Sequence, residues 1–308
     1  MRDAFISTLF EAAKKDDRLM LVVGDIGFGV VTRFMNELPQ QFVNAGIAEQ
    51  NMAGMAAGLA LSGRIVFTYS IANFPTLRAY EQIRNDIAYH HCNVKVVAVG
   101  GGFAYGALGA SHHATEDIAV MRAIPNMTVF APNDPVEAEL TTLAAINMQG
   151  PVYLRLGRSG ESAIHATAPP FVVGRAIPLR EGRDATLIVS AGMAKAVLEA
   201  ADILSGRGRS FRILSMPTVK PLDAESVIRA ARDTPAIFTV EEHSVIGGIG
   251  SAVAECLLES PHRPKLFRRI GIADVFVNKI GDQAFLREAH GLSPTGIAAA
   301  VESVLSHA

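Results

Sequence analysis

The sequence predicts an α/β protein built from two three-layer domains, each with a mostly parallel sheet. Three observations carry this prediction. The chain has 308 residues, which is long for one compact domain and comfortable for two. Short β-branched runs alternate with helical patterns, which is typical of parallel sheets covered by helices. A stretch rich in Gly and Pro at about 156–183 breaks this alternation, which then restarts.

The first domain is predicted at 1–158. It opens with an amphipathic helix that has Phe5, Leu9 and Ala12 on one face. Strands are expected at 19–25, 64–70, 93–100 and 127–132, and helices at 48–62, 75–90 and 134–147. The strands end in Gly, Asp, Ser or Pro, and loops at such carboxyl ends are where open parallel sheets bind ligands.

A linker is predicted at 159–182, where Gly and Pro recur and at most a short irregular strand is expected. The second domain is predicted at 183–308. Its strands are expected at 185–192, 210–216, 236–243 and 265–272. Its helices are expected at 194–205, 223–232, 250–259, about 284–290 and 294–306.

The composition argues against several classes of function. Hydrophobic residues make up 49% and charged residues 19%, so a sizeable core is expected. The formal net charge of −2 and the scattered basic residues argue against a nucleic-acid partner or an anionic membrane. Cys92 and Cys256 lack metal-ligand spacing and are typical of buried thiols in a reducing cytosol. Without a long apolar run, the expectation is a soluble, cytoplasmic protein with no membrane contact.

The stretch at 44–63, NAGIAEQNMAGMAAGLALSG, places Glu49 at the start of a helix made of small residues. If apolar groups cover this carboxylate, it could hold or share a proton near neutrality. A helix-start carboxylate favoured by the helix dipole is the structural alternative. Taken alone, the stretch favours that structural alternative.

Several collinear stretches resemble the transketolase family. The string GIAEQNM with its small-residue helix resembles the catalytic-glutamate motif of that family. The stretches that follow in the family's order are YSIANFPTLRAYEQIRNDIAYH, GASHHATEDIAVMRAIPNMTVFAPNDPVEA, GPVYLRLGR and VEEHSVIGGIGSAVAE. The resemblance covers about residues 1–305. It implies an enzyme that uses thiamine diphosphate to transfer a two-carbon ketol unit from a ketose to an aldehyde.

The resemblance implies the residues around the cofactor. The family's glutamate contacts N1′ of the aminopyrimidine, favouring the imino tautomer that activates the thiazolium; Glu49 matches it. Asp25 matches an aspartate near the thiamine, with an ordinary turn residue as the alternative. The family also stacks an aromatic ring on the pyrimidine, and its first aromatic position falls on Ala72 here. Phe74 or Tyr69 is therefore expected to take this role, and Phe74 is favoured.

The resemblance also implies residues at the sugar end. His112 matches a histidine that contacts the reacting sugar, so it is the candidate proton donor. His113 replaces the family's usual Gln beside the substrate, and adjacent histidines rarely hold a metal without further ligands, so no metal site is predicted in this chain. Arg158 matches a phosphate-binding arginine, and Arg155 is a neighbouring candidate.

Two departures from the family predict a non-standard sugar. The family has Asp four residues before the motif His, where this chain has Leu108. A His that helps to bind the sugar phosphate is replaced by Gly100. Because hydroxyl hydrogen bonds discriminate strongly between substrates, these replacements are expected to change the substrate.

The diphosphate half of the family's site is missing from this sequence. The family binds the diphosphate through Mg²⁺ with a Gly-Asp-Gly string followed by Asn, whereas this chain has only Gly-Asp-Ile at 24–26 and Gly-Asp-Gln at 281–283. The resemblance therefore implies a C-terminal subunit of a split transketolase. A separate N-terminal subunit would bind the diphosphate and would supply most of the protein ligands of the Mg²⁺ ion. An α2β2 heterotetramer is the natural assembly.

Two alternatives stay open. A β subunit of a 2-oxo acid dehydrogenase, or a related carboligase, shares this domain order, and CO₂ release from pyruvate would favour it. A non-catalytic assembly partner is the alternative of another class, although the presence of Glu49 and His112 argues against it. The second domain offers no clear catalytic group, and Glu241, Glu242 and His243 are interpreted as structural or interface residues.

Overall fold

The computed structural model describes residues 1–306, which form two sheets covered by helices. The strands of the first sheet are β1 (Leu19–Val23), β2 (Phe42–Asn44), β3 (Ile65–Ile71), β4 (Val94–Val99), β5 (Thr128–Phe130), β6 (Val152–Leu156) and β10 (Thr218–Lys220). Those of the second are β7 (Ile177–Arg180), β8 (Ala185–Val189), β9 (Phe211–Ser215), β11 (Ala236–Ser244) and β12 (Leu266–Ile272). The spatial orders are β10-β5-β6-β4-β3-β1-β2 and β12-β11-β8-β9-β7. The predicted α/β class with two mostly parallel sheets is confirmed.

The helices lie against both faces of the sheets. They are α1 (Arg2–Ala13), α2 (Thr32–Glu37), α3 (Glu49–Leu61), α4 (Tyr80–Gln82), α5 (Asp117–Ala123), α6 (Pro135–Asn147), α7 (Ala194–Ser205), α8 (Ala224–Asp233), α9 (Ile249–Glu259), α10 (Gln283–Ala289) and α11 (Pro294–Ser306). Asp134 begins α6 by accepting a hydrogen bond from the Glu137 amide, with Pro135 at the first helical position. No helix in residues 1–306 has both the length and the apolarity needed to cross a membrane.

All strand pairs are parallel except β10 with β5 and β7 with β9, which lie at one edge of each sheet. β10 comes from the second half of the chain but extends the first sheet. β7 falls within the range predicted as a linker. The boundaries at 158 and 183 therefore remain a prediction, since β10 of the second half extends the sheet of the first half.

The hydrophobic cores explain why the central strands are apolar throughout. Every residue of β1, β4, β6 and β8 is buried. One core packs α1 and α6 against the first sheet, and a second packs α7 and α11 against the second sheet. A third core joins α3 to Ile188, Met216 and Ile249 of the second half. Strands buried on both faces are expected in parallel sheets, so the core accounts for the apolar runs.

Two departures from the predicted elements have local causes. β6 is not predicted from the sequence, because Arg155 interrupts the apolar run VYLRL. The helix predicted at 75–90 consists of two π-helical turns, Phe74–Arg78 and Ile83–Ala88, on either side of α4. π-helical turns are rare in proteins, and those that occur are often found at functional sites. This segment contributes directly to the site described below.

Candidate functional site

The predicted residues converge on the carboxyl edge of the first sheet. Asp25 follows β1, Glu49 begins α3 just after β2, and Phe74 follows β3. His112 lies in the loop after β4, and Arg158 follows β6. Residues that are up to 133 positions apart in the sequence thus share one edge, which is the ligand-binding edge of open parallel sheets.

Glu49 is buried, with 3% of its surface exposed, although it is charged and lies at a helix start. Its Oε2 lies 3.0 Å from a guanidinium nitrogen of Arg78, which donates a hydrogen bond to it. Arg78 is the hydrogen-bond partner that the described part of the chain provides for this carboxylate. The Arg78 side chain is itself 51% exposed, so one side of the pair faces solvent.

The Phe74 ring lies in the same place. The Arg78 guanidinium carbon is 4.8 Å from the Phe74 ring centroid. The His112 ring approaches Phe74 edge-on with a centroid distance of 5.2 Å. Asn73 donates hydrogen bonds to backbone carbonyls of the loop 111–113, which fixes the π-helical turn beside His112. A carboxylate, an aromatic ring and an imidazole are therefore held together.

Asp25 is held by a residue that the sequence pattern did not single out. Asn44, at the end of β2, donates to Asp25 Oδ1 over 2.9 Å and accepts from the Asp25 amide over 3.1 Å. The Asn44 oxygen also accepts from the amide of Gly46, three residues before Glu49. Asp25 has a positive φ of 55°, which Asp adopts more readily than most residues. Asn44 therefore ties the loop of Asp25 to the loop that leads into Glu49.

Two buried polar atoms beside these residues have no hydrogen-bond partner within residues 1–306. They are Ser70 Oγ, at the end of β3, and Asn73 Oδ1. A Cβ added to Gly24 would lie 3.4 Å from the Ser70 hydroxyl, so Ser70 lies next to the loop of Asp25. Unpaired buried polar atoms are uncommon and call for an explanation. Together with Glu49 and Phe74, they suit a planar heterocycle with a hydrogen-bonding edge. We call Asp25, Asn44, Glu49, Ser70, Phe74, Arg78 and His112 the sheet-edge site.

Tyr69 lies on the other face of the sheet from Glu49. Its ring stacks on Phe5 of α1, with a centroid distance of 6.1 Å and an interplanar angle of 2°. It is 1% exposed, and burial raises the pKa of its hydroxyl. The geometry therefore favours Phe74 as the ring of the sheet-edge site.

The adjacent histidines have different surroundings. His112 is half-buried, with its Nδ1 3.0 Å from Ser111 Oγ, and lies beside Phe74. His113 is 4% exposed, its Nε2 is 3.2 Å from the Gly106 carbonyl oxygen, and its ring meets Phe103 at 5.4 Å. His112 is therefore accessible from the sheet-edge site, whereas His113 faces the interior.

The two predicted arginines also differ in their surroundings. Arg158 is exposed, donates to the Ala104 carbonyl over 3.1 Å, and has its guanidinium carbon 5.0 Å from the Tyr105 ring centroid. It lines a cavity of about 1010 Å³ between the two halves of the chain. The Tyr105 ring occupies the space above Gly100, where an added Cβ would collide with it. The departure at Gly100 is therefore accompanied by an aromatic ring that fills its space.

Arg155, by contrast, is 3% exposed and bonded inside the protein. Its Nε lies 2.8 Å from Asp117 Oδ2, and one terminal nitrogen donates over 2.9 Å to the carbonyls of Ala114 and Glu242. These bonds connect β6 to the start of α5 and to β11. This position is less suited to substrate binding than that of Arg158.

Arg155 belongs to a buried polar cluster between the two halves of the chain, which we call the interdomain cluster. Its members are Asp117, Tyr153, Arg155, Glu241, Glu242 and His243, all at most 3% exposed. Glu241 caps α9 by accepting from the amides of Ile249 (2.7 Å) and Gly250 (2.9 Å). Glu242 accepts from the Phe103 amide and from Gln283 and Arg287 of α10. The geometry agrees with the interpretation of 241–243 as structural or interface residues.

Burial changes the ionisation of two members of this cluster. It raises the pKa of Glu241 to about 7, against the opposing effect of the two amide hydrogen bonds. It lowers the pKa of His243 to about 4, although Asp117 nearby favours the protonated form. His243 instead accepts a hydrogen bond from the Ala119 amide through Nε2 over 3.3 Å.

A second polar cluster was not predicted and comprises Asp134, Glu137 and His165. Within residues 1–306, the potential ligand atoms of these three side chains lie close enough together to hold a metal ion. Its oxygens are already bonded: Asp134 accepts from the amides of Glu137 and Ile164, and Glu137 accepts from Ser215 Oγ and His165. The cluster therefore joins α6 to the segment after β6 and to β9. Of this cluster, the sequence NDPVE at 133–137 indicates only the helix cap formed by Asp134.

Comparisons with known proteins give a consistent result. A family model described as the transketolase pyrimidine-binding domain matches residues 1–160, and one described as the transketolase C-terminal domain matches residues 174–297. A 6-deoxy-6-sulfo-D-fructose transketolase subunit of Clostridium sp. (strain MSTE9) is 39% identical over 305 residues, which cover 99% of this chain and 94% of the relative.

Two further relatives span the chain at similar identity. One of the subunits of the apulose-4-phosphate transketolase of Phocaeicola vulgatus is 39% identical over 298 residues, which cover 96% of this chain and 94% of the relative. A solved structure described as a split gene transketolase, in an inactive beta4 tetramer, has a TM-score of 0.88 at 39% identity and covers 99% of this chain and 97% of that one.

Proposed function

Because the chain belongs to the transketolase family, we propose that it is the C-terminal subunit of a split, thiamine diphosphate-dependent transketolase. It would transfer a two-carbon ketol unit from a ketose to an aldehyde acceptor, together with a separate subunit. The observation that carries this proposal is the sheet-edge site, in which the buried Glu49 carboxylate lies beside the Phe74 ring and the unpaired Ser70 hydroxyl.

Each residue of the sheet-edge site has a role in this proposal. When bound, thiamine diphosphate supplies the nucleophilic carbon and the electron sink of ketol transfer. Glu49 would hold N1′ of its aminopyrimidine and stabilise the tautomer needed for activation. Phe74 would flank the pyrimidine ring, and Asp25, fixed by Asn44, would lie near the thiamine. Burial of Glu49 supports this role, because a buried carboxylate has few other partners to satisfy it.

The sugar would lie on the His112 side of the sheet-edge site. His112 is half-buried beside Phe74, so its imidazole can move a proton to or from a sugar oxygen. Arg158 is exposed at the same sheet edge and would anchor an anionic terminus. Among the other predicted substrate contacts, His113 and Arg155 are weaker candidates, because both are buried and bonded within the protein.

We also propose that the ketose is not an ordinary pentose phosphate. Leu108 is 55% exposed where the family has a hydroxyl-binding Asp, and the Tyr105 ring fills the space above Gly100. A site with these two replacements lacks one side-chain contact to a sugar hydroxyl and one to the sugar phosphate. In keeping with this, the two named relatives are described as subunits of a 6-deoxy-6-sulfo-D-fructose transketolase and of an apulose-4-phosphate transketolase.

The proposal requires a partner subunit. That subunit would bind the diphosphate and would supply most of the protein ligands of the Mg²⁺ ion, because this chain lacks the family's Gly-Asp-Gly string. Two strongly exposed apolar residues, Phe28 (86%) and Ile47 (76%), lie in the loops that carry Asp25 and precede Glu49. Apolar side chains around a half-open site are suited to a subunit contact. We propose an α2β2 assembly in the cytoplasm, where the free thiols of Cys92 and Cys256 would stay reduced.

The decisive experiment replaces Glu49 in the reconstituted complex. The chain is mixed with its partner subunit, thiamine diphosphate and Mg²⁺, and ketol transfer is measured over a panel of ketoses and aldehydes. Glu49→Gln should lower turnover by about 10²–10⁴-fold, because an amide cannot exchange a proton with N1′ as a carboxyl group can. The molar mass of the complex, measured by light scattering, should stay unchanged.

A matched control is Glu139→Gln, which makes the same change on the exposed face of α6. It should keep the wild-type rate. If Glu49→Gln also kept that rate, the catalytic assignment would be wrong. Release of CO₂ from pyruvate, without ketol transfer from any sugar, would instead favour a 2-oxo acid-dependent enzyme.

A further inference from the structure

Arg78 makes the two contacts that the proposed function assigns to the cofactor's aminopyrimidine. Its guanidinium donates to Glu49 Oε2 over 3.0 Å. The same guanidinium lies over the Phe74 ring, with 4.8 Å between the guanidinium carbon and the ring centroid. One arginine thus engages both the carboxylate that would hold N1′ and the ring that would flank the pyrimidine.

The chemistry of the two groups explains this coincidence. A guanidinium is planar, stacks on aromatic faces and presents N–H donors in a fixed fork. An aminopyrimidine is also planar and presents its hydrogen-bonding edge in the ring plane. Both therefore suit a site made of a carboxylate beside an aromatic face, so the two groups would compete for the same contacts.

We propose that Arg78 is a positioning residue that takes the place of the aminopyrimidine when no cofactor is bound, and that it leaves Glu49 when the cofactor enters. Glu49 is 3% exposed, and a buried carboxylate without a partner is strongly destabilising. Arg78 supplies that partner. This inference rests on the proposed function, because it assigns Glu49 and Phe74 to the cofactor.

The position of Arg78 allows it to be displaced easily. It is the last residue of the π-helical turn Phe74–Arg78, and its side chain is 51% exposed. A half-exposed ion pair contributes little to stability because water already solvates one partner. The guanidinium is already half-solvated and can turn fully into solvent, while the incoming aminopyrimidine would satisfy the carboxylate that it leaves, so the exchange leaves no buried charge without a partner.

Competition predicts that removing the guanidinium strengthens cofactor binding. Arg78→Met keeps an apolar stem and removes the donors. In the complex reconstituted with its partner, calorimetric titration with thiamine diphosphate and Mg²⁺ should give a Kd lower by about three- to tenfold, the combined size of one exposed ion pair and one cation–π contact. Arg78→Lys, which keeps the charge without the planar fork, should fall between this variant and the wild type.

The chain offers a matched control in Arg33. Its guanidinium carbon lies 4.0 Å from the Phe10 ring centroid, and its Nε is 3.4 Å from Glu37 Oε1. Arg33→Met thus removes the same pair of contacts outside the sheet-edge site and should leave the Kd unchanged. A Kd for Arg78→Met that is unchanged or higher would overturn the inference.

A second measurement does not depend on the cofactor. Arg78→Met should lower the Tm of the chain alone, because Glu49 loses its partner, and adding Glu49→Gln should recover most of that loss. A loss of Tm that Glu49→Gln leaves in place would also overturn the inference. The proposed function is judged separately by the turnover of Glu49→Gln in the wild-type background, so the two failures are distinguishable.

Discussion

The sheet-edge site and the interdomain cluster both bury carboxylates, but they satisfy them differently. Within residues 1–306, Glu49 has one hydrogen-bonded partner, the half-exposed Arg78, and lies near two buried polar atoms without a partner. In the interdomain cluster, Glu242 and Arg155 each bond to groups from two or more elements, and these partners are mostly buried. Glu49 thus depends on one half-exposed partner, whereas the interdomain cluster is mostly satisfied by buried groups, although Asp117 Oδ1 has no hydrogen-bond partner within residues 1–306.

This difference teaches which buried charges are available for binding. A buried charge with several buried partners connects elements of the fold, and removing one partner exposes the full cost of desolvation. A buried charge with a single, half-exposed partner can exchange that partner for a ligand. The distinction ranks Glu49 above Glu241 and Glu242 as a functional group, although all three are buried.

The largest stability effect that tests this comparison is expected for Arg155→Met. The change leaves Asp117 without its charged partner and two backbone carbonyls without their donor. The free energy of unfolding, from a denaturant titration, should fall by about 3–5 kcal/mol, the usual cost of breaking a buried pair. Turnover per folded molecule should change little, because Arg155 acts through the fold.

The control for Arg155 is Arg232→Met, which breaks an exposed pair with Asp233 in α8. It should cost less than about 1 kcal/mol. A stable Arg155→Met variant with a raised KM for the sugar would reverse the comparison, because it would move Arg155 from the interdomain cluster into the substrate site.

The adjacent histidines allow a similar test, because His112 is accessible from the sheet-edge site and His113 is buried. His112→Ala should lower kcat/KM by about 10²-fold, as loss of a general acid does, while the Kd of thiamine diphosphate stays unchanged. His113→Ala should mainly lower the Tm, because its ring packs on Phe103 and bonds the Gly106 carbonyl oxygen. The opposite pattern, with cofactor binding lost in His112→Ala and turnover lost in His113→Ala, would contradict these assignments.

The sequence predicts most of the fold because buried parallel strands are apolar along their whole length. β1, β3 and β4 and the helix α3 follow from such patterns. β6 does not, because Arg155 interrupts it, and β10 does not, because three residues from the second half of the chain pair with β5. Pairing between distant segments leaves no local signal in either of them.

The same limit applies to the sheet-edge site. Glu49 could be proposed from its motif, and Phe74 from its spacing to the family's aromatic position. Asn44 and Arg78 could not, since their roles depend on Asp25 and Glu49, which lie 19 and 29 residues away. Their one local signal is position: Asn44 ends a strand, and Arg78 ends an unusual helical turn.

The smallest expected effect concerns the pH dependence of stability in the interdomain cluster. The folded pKa of Glu241 is about 7, above its ordinary value of 4.5, so the folded state holds the extra proton between these values. Its contribution to stability is therefore lost as the pH rises through about 7. The folded pKa of His243 is about 4, below its ordinary 6.5, so its contribution is lost as the pH falls toward 4.

These two contributions oppose each other between pH 4.5 and 6.5. Each has a slope of about 1.4 kcal/mol per pH unit, so their sum should be nearly flat in the wild type. Glu241→Gln removes the falling contribution. From pH 5 to pH 6, its free energy of unfolding should therefore rise by roughly 1 kcal/mol more than that of the wild type. His243→Gln should show the reverse slope.

The slope, rather than the absolute stability, is the informative quantity in this test. Glu241→Gln also weakens the cap on α9, but that loss shifts the whole curve of stability against pH. If both variants kept the wild-type slope, Glu241 and His243 would titrate alike in the folded and unfolded chains. Water would then reach the interdomain cluster, and its contrast with the sheet-edge site would disappear.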